Sequence, residues 1–382
     1  MNFPIDKFSH ISTPFYYYDT ELLRATLAEI NRCTAGFPFK VHYAVKANAN
    51  ASILAMVREA GLGIDCVSGG EMAAALNAGF TGSQIAFAGV GKTDDEISAG
   101  IDSDIFCFNV ESLPEMEVIN AIAASKGKVA RIAIRINPNI DAHTHKYITT
   151  GLNENKFGIS IPQLSEVIDA VLVMPNVQLI GLHFHIGSQI TESEPFVMLC
   201  HKANELQNQL EARGLNLSII NVGGGLGIDY SNPDGAPIAG FEQYFGIFKQ
   251  HLKLRPGQEL HFELGRAVVA QCGSLITRVT YVKTGIAKKF IIVDAGMSDL
   301  IRPALYQAHH KIENISAPAG TPTETYDVVG PICESSDCFG TDEVLPTTRR
   351  GDLIALRSAG AYGEIMASRY NCRKFPASVT QL

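Results

Sequence analysis

The sequence predicts an α/β fold: a (β/α)8 barrel of the triosephosphate isomerase type, followed by a C-terminal antiparallel β domain that includes the N-terminal segment. Two observations lead to this prediction. Eight short runs rich in β-branched or aromatic residues alternate with helical stretches over the first 270 or so residues, which is typical of such a barrel. After them, strand-like runs continue without regular helices. A doubly wound open sheet is the alternative, but the first strand is not followed by the G-x-G-x-x-G turn of that fold.

Each predicted barrel strand is a short apolar run that ends in polar or glycine residues. The eight runs are KVHYAVK (40–46), GIDCVS (63–68), QIAFAGV (84–90), DIFCFNV (104–110), ARIAIRINP (130–138), LIGLHFHIGS (179–188), SIINVGGG (218–225) and LHFELGR (260–266). Amphipathic or alanine- and leucine-rich segments such as ASILAMVREAGL separate them and predict the helices.

The β domain is predicted from four later runs separated by glycine, proline and aspartate. They are SLITRVTYVKT (274–284), KKFIIVDAG (288–296), YDVVGPICES (326–335) and DLIALRSAGAYG (352–363). The opening TPFYYYD (13–19) is also strand-like and precedes a predicted helix, TELLRATLAEINRCT (20–34), so we expect it to join this domain. The predicted domains are therefore a barrel over 22–271 and a β-sandwich-like domain made of 1–21 and 272–382.

Composition excludes several classes of function. The formal charge of −8 without a basic block argues against nucleic-acid or membrane-surface binding. No apolar run approaches the roughly 18 residues needed to span a bilayer, and the first residues lack the plan of a secretion signal. The eight cysteines form no C-x-x-C pair, which favours free thiols. We therefore expect a cytoplasmic protein.

Polar and glycine residues collect at the carboxyl ends of the predicted strands, where barrel enzymes place their catalytic groups. They are Lys46, Asp65, Ser68, Arg135, Asn137, His185, Ser188, Gly223 to Gly225, Glu263 and Arg266. A lysine just past a strand is most often a surface residue, but a sheltered amine can also attack carbonyls. The clustering favours the second interpretation.

Two chemistries are compatible with these residues. His183 and His185 lie on one face of a strand and would suit a metal-dependent barrel hydrolase, although only Asp65 is available as a further ligand at another strand end. Pyridoxal phosphate instead needs an amine for its aldehyde, N–H donors for its phosphate and a carboxylate for its ring nitrogen. Lys46, the glycine triplet and Glu263 supply these groups, so no metal is expected.

The motifs YAVKAN, DCVSGGE, HFHIGSQ, NVGGGLG and ELGR, together with CESSD and GAYG in the later part, resemble the fold-type III pyridoxal-phosphate decarboxylases, which share an alanine racemase-like barrel. The likeness covers nearly the whole chain. Three segments, TGLNENKFGI (150–159), DLIRPALY (299–306) and CESSD (333–337), point to family members that act on a diamino dicarboxylic acid. Leu264 stands where the family usually has proline, and we expect a modest change in geometry from it.

The resemblance implies a role for each matching residue. The implied cofactor-binding residues are Lys46 as the covalent attachment, Glu263 at the pyridine nitrogen, His185 against the ring, Ser188, Gly224, Gly225 and Tyr362 at the phosphate, and Asp65, Arg135, Gly265 and Arg266 around them. The implied substrate-binding residues are Arg266, Arg302, Tyr306, Glu334 and Tyr362. The implied catalytic residues are Lys46, Glu263, His185 and Cys333.

The family also implies a homodimer with shared active sites, in which Cys333 and Glu334 reach the site of the partner subunit, and a lid formed by DAHTHKY (141–147). Decarboxylases of ornithine, arginine or carboxynorspermidine would share the cofactor residues. However, an arginine is best suited to grip a carboxylate, and ornithine carries only an ammonium at its far end. A non-catalytic pyridoxal-phosphate carrier would resemble the barrel alone.

Overall fold

The structure is a computed structural model that describes residues 3–8, 10–140 and 156–380. The predicted lid DAHTHKY (141–147) and the first six residues of TGLNENKFGI lie outside these residues.

The secondary structure of the described residues alternates between strands and helices up to Leu264. The helices are α1 Ile5–Phe8, α2 Thr20–Thr34, α3 Ala51–Glu59, α4 Gly69–Asn77, α5 Asp94–Asp102, α6 Leu113–Ser125, α7 Leu164–Leu172, α8 Glu194–Glu211, α9 Phe241–His251, α10 Arg266–Val269 and α11 Arg302–Tyr306. The strands are β1 Phe15–Tyr18, β2 Phe39–Ala44, β3 Gly63–Cys66, β4 Ile85–Phe87, β5 Cys107–Val110, β6 Ala130–Asn137, β7 Ile159–Ser160, β8 Val177–Phe184, β9 Ile219–Asn221, β10 Glu259–Leu264, β11 Gly273–Thr284, β12 Lys289–Val293, β13 Ile312–Asn314, β14 Thr323–Val329, β15 Cys338–Pro346, β16 Leu353–Leu356 and β17 Ala377–Val379.

The chain divides into two compact units. One comprises Leu27–Gly227 and Gly240–Gly265, and we call it the barrel unit; the other comprises Met1–Thr26, Ile228–Ala239 and Arg266–Leu382, and we call it the sheet unit. The predicted domain limits of 22–271 against 1–21 with 272–382 stay a prediction. No helix in the described part of the chain is both long and apolar enough to cross a membrane, and the cytoplasmic location also stays a prediction.

The barrel unit contains a closed parallel barrel. Its strands follow the order β5, β4, β3, β2, β10, β9, β8 and β6, and the pairing of β5 with β6 closes the circle. The short strand β7 adds to β6 at the rim. The predicted eight-stranded barrel is therefore confirmed.

The pleat of β10 shows how the sequence aims side chains into the barrel. Phe262 packs edge-on against Phe245 of α9, with ring centroids 4.9 Å apart, so it faces the surrounding helices. Its neighbours His261 and Glu263 must then point the other way, since successive side chains of a strand alternate. His261 stacks at 5.0 Å on Phe106. Glu263 is thus placed inside the barrel, at the carboxyl end of its strand.

Polar caps begin the helices that follow the barrel strands. The side chain of Asn50 accepts from the amide of Ser52 at the start of α3, and Ser68 does the same for Glu71 at the start of α4. Thr93 and Glu96 form a capping box at the start of α5. These side chains satisfy amides that have no partner within the helix, so they fix where α3, α4 and α5 begin after their strands.

The sheet unit is built on a mostly antiparallel sheet. Its path is β13, β16, β11, β12, β14 and β15, and β1 pairs with both β11 and β17. The prediction that the N-terminal segment joins the C-terminal β domain is confirmed. The short helix α11 within RPALY, and the strands β13, β15 and β17, are features that the sequence analysis did not predict.

Candidate active site

Lys46 lies in a short 3-10 helix, Val45–Ala47, that directly continues β2. The side chain is half-buried. Asp65, at the end of the neighbouring strand β3, is 1% exposed, and neither of its carboxylate oxygens has a hydrogen-bond partner among the described residues. Burial and the negative charge of Glu263 raise the pKa of Asp65 well above its ordinary value, against the lowering effect of Lys46. Burying a carboxyl group without a hydrogen-bond partner costs free energy, so Asp65 indicates a site that binds a polar ligand.

The glycine triplet after β9 forms a turn with no space for side chains. Gly223 and Gly225 have φ angles of 68° and 111°, which favour glycine. A Cβ atom on Gly224 would lie 2.1 Å from the carbonyl oxygen of Glu263. The amide of Gly224 points to Nδ1 of His185 at 3.4 Å. Backbone N–H groups that no side chain covers are suited to bind a phosphate.

His185 and Ser188 follow β8, and both side chains are partly exposed. Removal from water, followed by the positive charges of Lys46 and Arg135, lowers the pKa of His185 well below its ordinary value. The ring is therefore neutral near pH 7. A flat, uncharged ring is suited to lie against a cofactor.

Glu263 is 7% exposed and accepts three side-chain hydrogen bonds. Its Oε1 accepts from Nδ2 of Asn109 at 2.8 Å and from Nδ2 of Asn221 at 2.7 Å, and its Oε2 lies 2.9 Å from Nε2 of His183. Burial alone would raise the pKa of Glu263, but His183 and Lys46 outweigh it and hold the pKa below its ordinary value. Sequence reasoning considered His183 only as a metal ligand and missed both asparagines.

Arg135 on β6 is held by a carboxylate that the sequence analysis also missed. Its Nη1 donates to Oε1 of Glu111 at 2.7 Å, and both side chains are buried. The other oxygen of Glu111 accepts from the amide of Gly158 at 2.8 Å, and the Arg135 guanidinium lies 4.7 Å from the ring centre of Phe157. The signal available in the sequence was the position of Glu111 one residue past a strand end.

The sheet unit brings two buried arginines to one tyrosine ring. Arg266 and Arg302 are each 6% exposed. Nη1 of Arg266 donates to the hydroxyl of Tyr230 at 2.6 Å, and the guanidinium of Arg302 lies 4.7 Å from the centre of the same ring. Arg266 also lies 4.9 Å from the ring centre of Tyr362. We call Tyr230, Arg266, Arg302 and Tyr362 the guanidinium cluster.

Among the described residues, no carboxylate lies within ion-pair distance of Arg302. Asp299, the neighbour that could have formed a structural ion pair with it, instead accepts from the amide of Gly296 at 2.8 Å. Arg302 is therefore a buried cation whose charge is not neutralised locally. Tyr306 lies one helical turn along α11 from Arg302 and is half-buried.

The segment CESSD forms a tight turn in the sheet unit that presents Cys333 and Glu334 outward. The carboxylate of Asp337 holds the turn by accepting from the amides of Ile332 and Met297, each at 2.6 Å. Cys333 and Glu334 are both exposed, and Glu334 accepts from the hydroxyl of Tyr370. Two polar side chains displayed in this way are available to another molecule.

The chain belongs to the pyridoxal-dependent decarboxylase family, because residues 22–270 match the family model described as the pyridoxal binding domain of pyridoxal-dependent decarboxylases. A diaminopimelate decarboxylase from Bacteroides thetaiotaomicron is 62% identical to this chain over 99% of it and 98% of the relative. A diaminopimelate decarboxylase from Neisseria meningitidis is 42% identical over 96% and 87% of the two chains.

Solved structures agree with these relatives. The crystal structure of diaminopimelate decarboxylase from Helicobacter pylori complexed with L-lysine has a TM-score of 0.93 and 40% identity, covering 99% of this chain and 94% of that chain. The corresponding enzyme from M. jannaschii, in co-complex with L-lysine, has a TM-score of 0.90 and 35% identity, covering 99% and 89%.

Family membership confirms the predicted fold family and pyridoxal phosphate as the cofactor, and it removes the metal-dependent hydrolase from consideration. The barrel unit also fits the cofactor on its own evidence. An amine follows β2, a bare glycine turn follows β9, and the buried carboxyl group of Asp65 has no partner among the described residues. The role of each individual residue stays a prediction.

Proposed function

We propose that this protein decarboxylates meso-2,6-diaminopimelate to L-lysine and carbon dioxide, the last reaction of lysine biosynthesis. The observation that supports this substrate best is the guanidinium cluster. Within it, Arg302 is a buried cation with no carboxylate within ion-pair distance among the described residues, and such a charge favours an anionic ligand because a buried charge without a counter-charge is strongly unfavourable. The relatives named diaminopimelate decarboxylase support the same substrate.

The far end of meso-diaminopimelate carries both a carboxylate and an ammonium. Arg266 and Arg302 are suited to bind the carboxylate, since a guanidinium grips a carboxylate with two parallel hydrogen bonds. Tyr306 and Tyr362 would assist them, and Glu334 would bind the ammonium. Ornithine, arginine and carboxynorspermidine have no carboxylate at that end, so the cluster disfavours them.

When bound, pyridoxal phosphate supplies an electron sink for the electron pair that the departing carbon dioxide leaves behind. Nζ of Lys46 would hold the cofactor aldehyde, and the carboxylate of Glu263 would accept from the pyridine nitrogen. His185 would lie against the ring. Ser188, Tyr362 and the amides of Gly224 and Gly225 would bind the phosphate, with Asp65, Arg135 and Gly265 in support.

The carbon that loses its carboxyl group must then receive a proton. Either Nζ of Lys46 or Sγ of Cys333 would donate this proton. Because Cys333 and Glu334 stand exposed on one turn, we infer that they act in the active site of a second copy of the chain. The enzyme would then be a homodimer with two shared sites.

Product formation from four separate substrates tests the proposal. Purified protein with pyridoxal phosphate would receive meso-diaminopimelate, L-ornithine, L-arginine or carboxynorspermidine. We expect carbon dioxide and L-lysine from the first alone. An Arg302→Gln variant should raise the KM for meso-diaminopimelate, whereas Arg350→Gln, at an exposed arginine, should leave it unchanged. Carbon dioxide from any of the other three substrates instead would overturn the substrate assignment while keeping the cofactor chemistry.

A further inference from the structure

The hydrogen bonds of Glu263 define the protonation state that the site maintains. An amide N–H group can only donate, so Asn109 and Asn221 both require an acceptor at Oε1 of Glu263. The orientation of the Asn221 amide is fixed from its other end, where Oδ1 accepts from the amide of Gly223 at 2.9 Å. Its NH2 group must therefore face Glu263. Two such donors favour the ionised carboxylate.

The same contacts leave one position of the carboxylate open. A carboxylate offers about four lone-pair sites, and Asn109, Asn221 and His183 occupy three of them. The remaining site is on Oε2. One lone pair is what a protonated pyridine nitrogen needs as its acceptor.

Asn221 also connects Glu263 to the glycine turn. Its Oδ1 holds the amide of Gly223, while the amide of Glu263 donates to the carbonyl oxygen of Gly223 at 2.8 Å. The side chain and the main chain of Glu263 are thus both anchored to the turn that we assign to the phosphate. This fixes the spacing between the carboxylate and the turn.

Several charged or titratable groups influence Glu263 besides its hydrogen-bond partners. These groups include Lys46 and His185, which follow barrel strands, and His42, Asp65, Cys107 and His183, which lie on them. Asp65 opposes ionisation of Glu263, and Lys46 favours it. The two asparagines are neutral, so their contribution to the ionisation of Glu263 does not change with pH. The contribution of each titratable group does.

We propose that Asn109 and Asn221 are positioning residues that keep Glu263 ionised and directed at the ring nitrogen of pyridoxal phosphate, with Asn221 also fixing its spacing from the glycine turn. This inference rests on the proposed function, in which Glu263 binds that nitrogen. It gives a role to two side chains to which the sequence analysis assigned none.

The test is the protonation of the ring nitrogen, measured by NMR on holoenzyme reconstituted with pyridoxal phosphate that carries nitrogen-15 in its ring. The wild-type ring nitrogen should remain protonated at about pH 8. In Asn109→Leu and Asn221→Leu the ratio of protonated to unprotonated nitrogen should fall about tenfold, since a hydrogen bond to a charged group is lost. Should a leucine variant fail to fold, Asn109→Ala and Asn221→Ala carry the same expectation.

The control is Asn204→Leu, which removes an amide of the barrel unit that bonds to backbone groups of His251 and Lys253. It should keep the wild-type signal, because a loss of general packing does not act on the ring nitrogen. If the Asn109 and Asn221 variants also keep that signal while Glu263→Gln loses it, the inference is wrong and the proposed function stands. If Glu263→Gln itself keeps the signal, the contact between Glu263 and the cofactor is wrong, and the inference fails with it.

Discussion

Nη1 of Arg302 lies 2.8 Å from Nε2 of His310, and both side chains are buried. Nδ1 of His310 lies 2.8 Å from the carbonyl oxygen of Arg357, so this nitrogen must carry the proton. His310 is therefore a neutral acceptor that orients Arg302. Burial, followed by the positive charge of Arg302, lowers the pKa of His310 to about 3 and preserves this arrangement over the physiological range.

Replacing His310 by leucine should weaken binding of the distal carboxylate without altering the chemistry at the other end of the substrate. We expect KM for meso-diaminopimelate to rise about tenfold and kcat to change less than about twofold. Inhibition by L-lysine should weaken, and inhibition by cadaverine, which lacks the carboxylate, should not. The adjacent, exposed His309 offers a matched control in His309→Leu. Equal loss of inhibition by both compounds would show that His310 does not act through Arg302.

Replacing Lys46 by alanine should abolish turnover and the visible absorbance of bound cofactor, because the covalent attachment of the cofactor is lost. Absorbance spectra and carbon dioxide release measure the two effects. Lys40→Ala, on the strand β2 that precedes Lys46 but exposed and paired with Glu259 at 3.6 Å, should retain both. Turnover by Lys46→Ala would contradict the assigned role.

Two inactive variants should complement each other if Cys333 acts in the partner's site. A refolded mixture of Lys46→Ala and Cys333→Ala should recover about a quarter of wild-type activity, since half of randomly paired dimers are mixed and each of these has one intact site. A mixture of Lys46→Ala and Glu263→Gln should recover none, because the same subunit supplies both residues to each active site. Recovery in neither mixture would argue against shared sites.

Acid should destabilise the protein through His42, which lies 2.8 Å from His261 inside the barrel. Burial and the neighbouring His261 lower the pKa of His42 to about 3, whereas an unfolded histidine takes up its proton near pH 6.5. Unfolding therefore binds one proton between these values, and stability falls as the pH falls. The free energy of unfolding should decrease by about 1.4 kcal/mol per pH unit from this residue between about pH 6 and 4.

Urea titrations of wild type and His42→Gln at several pH values measure this slope. The variant should have the shallower slope by about that amount, whatever its absolute stability. His309→Gln, at an exposed site, should keep the wild-type slope. An unchanged slope in His42→Gln would mean that this histidine is protonated in the folded state.

The sequence predicted the barrel and its strand-end residues because both depend on local patterns. Lys46 and Glu263 stand out as charged residues at the ends of apolar runs, and the glycine triplet is visible as written. The hydrogen-bond partners of Glu263 could not be predicted in this way, since Asn109 and His183 are 154 and 80 residues away from it along the chain. They lie close together because the barrel closes, and a local sequence pattern does not predict which residues that closure brings together.

The same reason explains what the sequence analysis did not predict in the sheet unit. The sequence analysis assigned no role to His310, because its contact with Arg302 depends on how α11 and β13 are placed. Only Phe339 and Leu345 are buried in the strand β15, and Gly340, Thr341, Asp342 and Glu343 interrupt its apolar residues, so its sequence lacks the regular apolar alternation of a half-buried strand. It is a strand because β14 pairs with it.

The pairing of β1 has a consequence for the order in which the chain can fold during its synthesis. Phe15 pairs with Ile276 and Ala377, so this strand waits until the whole barrel unit has been made. Until then Phe15, Tyr16 and Tyr18, which are all buried in the folded protein, are exposed to solvent. A chain stopped before β11 should therefore aggregate, and removal of β1 from that shortened chain should increase its solubility. All the barrel strands are synthesised before β11, whereas β1, the first strand to be synthesised, can pair only after β11 has followed them.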